Sequence, residues 1–413
     1  MQWNAISSEQ EKIVADKINT GITAPKGFKA AGIHCGIKKS RKDLALIVSE
    51  YPATAAAVFT LNKVQAAPVL VCKKHLEESD VFKAIIVNSG NANACTGDQG
   101  YMDAVTMANE TAEVLGANPE EIFVSSTGVI GEMLPIEKIV SGIHNIAKQV
   151  DESEYASAAE AIMTTDTFPK SYSTSFLING IEVNIGGIAK GSGMIHPNMA
   201  TMLGFITTDA AIEKNVFQKL LKNTVNKTFN RITVDGDTST NDMVIALANG
   251  ASGVPIEPNT HVYEIFEEQL YKLLKKLAID IVKDGEGATK LIEITVEGAL
   301  NDDDAVKAAR SVSLSPLVKT AIHGEDANWG RILAAVGYSG IEFDPDKFEI
   351  EINGTPILKQ NYTVTLPIAE ANQTLKPIEI KIVLKLHAGN GSATYWTCDF
   401  SEDYVKINGS YRT

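Results

Sequence analysis

A layered α/β fold, with helices packed against sheets in both halves of the chain, is predicted by three observations. Short apolar runs alternate with longer segments whose apolar residues recur at helical spacing. The 413 residues suffice for two or more packed layers and more than one domain. No repeat of fixed period and no low-complexity linker divides them.

The elements follow in order. Residues 43–48 and 55–60 read as two short buried strands, each ending in polar residues. Residues 82–87 form a third strand, which runs into a loop at 88–97, too rich in Gly and Asn for helix or strand. A helix over 101–115 follows from Ala104, Met107, Ala108, Thr111 and Leu115, and Gly116 closes it. A strand at 122–124 stops at Ser125-Ser126-Thr127-Gly128-Val129-Ile130-Gly131, after which Pro135 opens a helix reaching about residue 150. A helix near 155–164 ends before Asp166-Thr167-Phe168-Pro169-Lys170, because proline restricts the residue ahead of it. Strands at 173–178 and 182–188 lead into a glycine-rich stretch, and 202–207 resumes as strand. The second half gives helices at 213–229, 262–283 and 303–322 and after Asn328-Trp329-Gly330-Arg331. Its strands are expected at 231–234, 291–296, 348–352 and 378–386, with a polar hinge at 235–242 that is a further candidate site loop.

Composition narrows the function. A hydrophobic share of 44% with 21% charged residues is that of a globular protein. The formal charge of −14 repels phosphate backbones and anionic lipid, so neither nucleic acid nor a membrane is the expected partner. Cys35, Cys72, Cys95 and Cys398 form no Cys-x-x-Cys pair and have no His companion at metal spacing, so no metal site is expected. The first residues, Met1 to Glu9, lack a basic flank with an apolar core, and no apolar run approaches about 18 residues. The expectation is a reduced, cytoplasmic, soluble protein.

The chemistry concentrates in Lys190-Gly191-Ser192-Gly193-Met194-Ile195-His196-Pro197-Asn198-Met199-Ala200-Thr201-Met202-Leu203-Gly204. A threonine hydroxyl can attack the carbonyl of the residue before it, giving an ester that water opens. The freed α-amine, with a pKa of about 7.7 to 8.0, then sits beside the same hydroxyl and can take its proton. Ala200-Thr201 is such a bond, or else an ordinary Gly-rich turn. Thr127-Gly128 is either an oxyanion pair, since glycine lets a backbone N–H approach closely, or a helix-entry turn. Ser192 and His196 tempt a Ser–His reading, but no Gly-x-Ser-x-Gly elbow surrounds the serine. Gly191-x-Gly193 lacks the third glycine of a dinucleotide fingerprint. Glu286 is a solvated carboxylate or a partner for a substrate ammonium, and Lys190 a surface lysine or a carboxylate partner.

Four segments together resemble the ornithine acetyltransferase family, often called ArgJ. They are residues 190–203, Ser125-Ser126-Thr127-Gly128-Val129-Ile130-Gly131, Thr164-Thr165-Asp166-Thr167-Phe168-Pro169-Lys170 and Asn88-Ser89-Gly90-Asn91-Ala92-Asn93-Ala94. Further motifs, Asp284-Gly285-Glu286-Gly287-Ala288-Thr289-Lys290 and Asn408-Gly409-Ser410-Tyr411-Arg412-Thr413, extend the match along the chain. The resemblance implies a self-cleaving enzyme that moves acetyl from N2-acetyl-L-ornithine to L-glutamate. It also implies, for many members, acetyl-CoA as an additional donor, with no other cofactor. By the same resemblance Thr201 is the nucleophile and Thr127 and Gly128 are the oxyanion hole. Thr164, Lys190, Thr201, Glu286, Asn408 and Thr413 are the substrate contacts. The implied fold is a helix–sheet–sheet–helix sandwich like that of amino-terminal nucleophile hydrolases, with different connectivity. Cleavage would give an α chain of residues 1–200 and a β chain of residues 201–413, held in an α2β2 assembly. Rival expectations are a self-processed amidase or aminopeptidase, and an amino-acid-binding protein without enzymatic activity.

Overall fold

The computed structural model describes residues 20–196 and 202–410. Its first part contains β1 (Phe28–Ile33), β2 (Leu44–Phe59), α1 (Ala67–Glu78), β3 (Phe82–Asn91), α2 (Gly97–Leu115), β4 (Ile122–Val129), α3 (Ile136–Ile146), α4 (Tyr155–Ala161), β5 (Lys170–Ile178) and β6 (Ile181–Lys190). Then come β7 (Leu203–Thr208), α5 (Lys214–Lys227), β8 (Ile232–Thr233), β9 (Met243–Ala248) and α6 (His261–Lys283).

The long strand β2 organises these elements. Its residues 44–49 pair antiparallel with β1 and its residues 44–48 with β3, whereas residues 54–59 pair with β9. The two strands expected at 43–48 and 55–60 are therefore one. Glu50, Tyr51 and Pro52 look like a turn in sequence but stay extended, exposed where the strand leaves one sheet lobe and enters the other. The path runs β4-β3-β2-β9-β7-β6-β5, with β1 beside β2.

Strand β9, unforeseen in the sequence, explains how the lobes stack. Met243, Ile245 and Leu247 join a core with β1 to β4 and helices α1 to α4. Val244, Ala246 and Ala248 face the opposite way, into a core with α5 and α6. Successive strand residues point to opposite faces, and a strand buried on both reads as one apolar run without alternation. The layers are helix, sheet, sheet, helix, as predicted.

A second sheet follows, from β10 (Leu291–Ala299), α7 (Asp302–Leu314), α8 (Pro316–His323), α9 (Trp329–Gly337), β11 (Glu349–Ile352), β12 (Thr355–Lys359), β13 (Thr363–Val364), α10 (Ile368–Gln373), β14 (Glu379–Lys385) and β15 (Gly391–Cys398), and α11 (Glu402–Ser410) ends the described chain. Its order is β13-β12-β11-β14-β10-β15-β8. Helices α7 to α9 share one core with Ile292, Ile294, Ile382 and Tyr395. Ile232, Leu291, Trp396 and Cys398 instead join the core of α6, which ties the two units together. The single helix expected at 303–322 is two, because Pro316 opens a new helix and the Ser315 hydroxyl accepts its Val318 N–H at 3.3 Å.

Candidate active site

Strand ends build the site. β3 and β4 are parallel, with Ser89 beside Thr127 and Gly90 beside Gly128. This pairing carries β3 to Asn91 and β4 to Val129, past the points where the sequence predicts loops. Gly128 has φ +133°, and a Cβ there would overlap the backbone of Gly90 and Asn91. Only glycine fits. Lys190 ends β6, in the lobe stacked on this one, and its Nζ donates to Thr127 Oγ1 at 3.3 Å.

Thr127, Gly128, Thr164, Lys190, Glu286 and Asn408 line one cavity of about 190 Å³. These residues are far apart in sequence, yet all the predicted site residues that the structure describes meet there. Ala200, Thr201 and Thr413 lie outside the described residues. Ile195 and Met202, close to the proposed cut on either side, line the same cavity. The Met202 carbonyl accepts the Met243 N–H at 3.1 Å.

A buried ionic network lies behind the wall. Lys170 Nζ is 2.8 Å from Asp166 Oδ1 and 2.6 Å from Asp284 Oδ2, with all three side chains 0–1% exposed. Asp166 also accepts the N–H of Gly191 at 2.7 Å and of Thr164 at 2.9 Å. Burial alone would raise the Asp166 carboxyl, but Lys170, Lys190 and these donors outweigh it and hold it low. Asp284 accepts from the Thr167 amide and hydroxyl, and its carbonyl accepts the Ser192 hydroxyl at 2.5 Å. Glu286, two residues on, is 8% exposed, and its Oε2 accepts from Asn408 at 2.8 Å. Burial lowers the Lys190 ammonium, against the opposing fields of Asp166, Asp242 and Glu286. Sequence reading missed Lys170 and Asp284 as site supports. Asp284 meets Thr167 and Lys170 from more than a hundred residues further along the chain, which no local pattern signals.

The hinge at 235–242 completes the wall, as the sequence suggested. Asp235 accepts the N–H groups of Met194 and Ile195 at 2.6 and 2.9 Å. Asn241 Nδ2 reaches the carbonyls of Ala92 and Ser126 at 2.5 and 2.9 Å, locking the hinge to the end of β4. The Ser192–His196 reading fails on partners. Ser192 is spent on Asp284, and His196 Nε2 accepts from Arg310 at 2.6 Å. Burial, then Arg310, lowers the imidazole to about 4.

The ArgJ family model matches residues 29–413. The chain belongs to the ArgJ family. It is 51% identical over 397 residues to the arginine biosynthesis bifunctional protein ArgJ of Symbiobacterium thermophilum, covering 95% of this chain and 98% of that one. The ArgJ of Bacillus subtilis is 47% identical over 409 residues, covering 99% and 100%. A crystal structure of the Bacillus halodurans ArgJ is 47% identical, with TM-score 0.43, and covers 46% of this chain and 100% of that one. Membership makes this chain an acyltransferase of arginine biosynthesis, of the bifunctional ArgJ kind. Among the described residues, no helix is long and apolar enough to cross a membrane.

Proposed function

We propose that this ArgJ chain cuts itself between Ala200 and Thr201 and then carries acetyl from N2-acetyl-L-ornithine to L-glutamate on the Thr201 hydroxyl. The observation that carries the reading is the meeting of Thr127, Gly128, Lys190, Glu286 and Asn408 around one cavity whose wall includes Met202, the residue after Thr201. Maturation comes first. Thr201 Oγ attacks the Ala200 carbonyl carbon, the C–N bond breaks, and water opens the resulting ester to leave a carboxylate on Ala200 and an amine on Thr201. Residues 1–200 and 201–413 stay together as one active unit, in an α2β2 assembly.

In turnover the Thr201 amine takes the hydroxyl proton as Oγ attacks the acetyl carbonyl. The Thr127 hydroxyl and the Gly128 N–H stabilise the oxyanion. Ornithine leaves with the proton, and the α-amine of glutamate attacks the acetyl ester to give N-acetylglutamate and free Thr201. Lys190 takes the α-carboxylate, and Glu286, oriented by Asn408, takes the ornithine ammonium. Thr164 and Thr413 complete the substrate contacts. Acetyl-CoA serves as a second donor to the same hydroxyl, and no cofactor is needed.

Denaturing mass spectrometry tests the reading. The wild type should yield fragments of 200 and 213 residues, and Thr201→Ala one chain of 413. Acetylornithine alone should add one acetyl group to the larger fragment, and glutamate should remove it as N-acetylglutamate. An active but intact chain would sink the mechanism. Release of acetate at the same rate without glutamate would favour a self-processed amidase.

A further inference from the structure

The link between β1 and β2, residues 34–42, gathers Lys38, Lys39, Arg41 and Lys42 without an Asp or Glu, in a chain of net charge −14. Its shape is fixed from within. Asp43, buried just before β2, accepts the N–H groups of Cys35, Gly36, Ile37 and Lys38 at 2.6, 3.2, 2.8 and 2.9 Å, so the nearest carboxylate is spent inside the loop. His34 Nδ1 donates to the Arg41 carbonyl at 2.8 Å, which closes the loop on itself. Lys42 pairs with Glu160 at 2.9 Å. Lys39 and Arg41, at the tip, are exposed and have no ion pair among the described residues.

The same loop touches the active site. Lys38 Nζ donates to the carbonyl of Met163 at 2.6 Å, directly before Thr164 of the cavity wall. A Cβ on Gly90, the residue paired with Gly128, would meet the side chains of Lys38 and Ile37 at 3.0 and 3.1 Å. Arg41 is three residues beyond Lys38, a backbone reach of at most about 11 Å. At the start of the loop, His34, Cys35, Lys138, Ser141 and Asn145 line a surface groove of about 370 Å³. Unpaired cations on a pinned loop beside the cavity attract an anionic ligand that the rest of the chain repels. Such a ligand cannot be swallowed whole, because the cavity holds only about 190 Å³ and Asp235, Asp237 and Glu286 line it.

We infer that Lys39 and Arg41 hold the phosphates of acetyl-CoA at the rim of the cavity, an assignment that rests on the reading of acetyl-CoA as the second acetyl donor. The pantetheine arm then runs past Lys38 to bring the thioester to the cavity, and the adenosine lies toward the groove at His34 and Lys138. The phosphates stay outside, where cations meet them, and the uncharged arm alone passes the carboxylates of the wall. Arginine takes a phosphate through paired hydrogen bonds and lysine takes it as a point charge. Acetylornithine has no phosphate and makes no use of the loop tip.

The test is a double variant, Lys39→Ala with Arg41→Ala, at an exposed tip where folding is not at stake. Its KM for acetyl-CoA should rise about tenfold or more, while its melting temperature and its kinetics with acetylornithine match the wild type. S-acetylpantetheine, the same thioester without phosphates, should show one KM in both proteins. Added salt should raise the KM for acetyl-CoA in the wild type more steeply than in the variant. An unmoved KM for acetyl-CoA, or an equal rise for S-acetylpantetheine, would overturn the inference. Calorimetry with coenzyme A itself separates this site from the proposed function. Binding that the variant loses, without N-acetylglutamate formed from acetyl-CoA, supports the site and refutes the second donor. Turnover of acetyl-CoA with an unmoved KM refutes the site alone, and a wild type that neither binds coenzyme A nor uses acetyl-CoA refutes both.

Discussion

Lys190 Nζ donates to the hydroxyl oxygen of Thr127 across 3.3 Å, joining the end of β6 to the end of β4. A hydroxyl has one hydrogen and two acceptor lone pairs, so an oxygen that accepts from lysine keeps its own hydrogen to give. That hydrogen is available to the cavity. In the proposed mechanism the contact sets a cation beside the spot where the oxyanion would form, so that carboxylate binding and acyl chemistry would be coupled.

Thr127→Ala should therefore lower turnover by about 10²- to 10³-fold, the usual effect of losing one oxyanion donor. Stability should hold, because the hydroxyl faces a cavity rather than the core. Thr127→Ser should recover most of the rate. Steady-state kinetics beside thermal melts decide it, and near-normal turnover in the alanine variant would refute the assignment.

Two glycines predict opposite failures. A Cβ on Gly128 would strike the backbone of Gly90 and Asn91, at a φ of +133° that side chains rarely adopt. Gly128→Ala should fold poorly, with a melting temperature well below the wild type. A Cβ on Gly193 would instead strike the Glu286 carboxylate, the movable end of a side chain. Gly193→Ala should melt almost normally but show a raised KM for acetylornithine. The same loss of stability in both variants would contradict this division.

How much of this the sequence could reveal depended on distance along the chain. The helix closed by Gly116, which has φ +63°, was readable because its periodicity and its stop signal are local. Thr127-Gly128 could be singled out for the same reason, and both residues line the cavity. Strand β9 was not, since burial on both faces erases the alternation that marks a strand. Nor was the Asp166–Lys170–Asp284 network, which exists only once β5 and the end of α6 have packed together.

Lys170→Met should destabilise the protein by about 3–5 kcal/mol, because it leaves Asp166 and Asp284 buried without their cation. The pH dependence has a definite sign. A carboxyl held low in the folded state contributes stability that is complete above its unfolded value of about 3.9 and lost as pH falls toward the folded value. Urea unfolding of the wild type should show that loss below about pH 4, with Asp166 as one contributor. In Lys170→Met the Asp166 contribution to it should shrink. A methionine variant as stable as the wild type at pH 7 would mean that the network contributes little.

His196 gives a second pH window. Arg310 donates to its Nε2, and burial with that cation holds the imidazole neutral down to about 4. In the unfolded chain a histidine takes its proton near pH 6.5. Between about 6.5 and 4 the unfolded state therefore binds more protons, so this residue makes stability fall as pH drops through that range. Unfolding midpoints in urea at pH 7 and pH 5 should separate more for the wild type than for His196→Gln, whose amide oxygen can still accept from Arg310. Acetyl transfer near pH 8 should survive the substitution, because an imidazole already engaged by arginine is no base for Thr201. Abolished transfer in a fully folded His196→Gln enzyme would return the histidine to the mechanism.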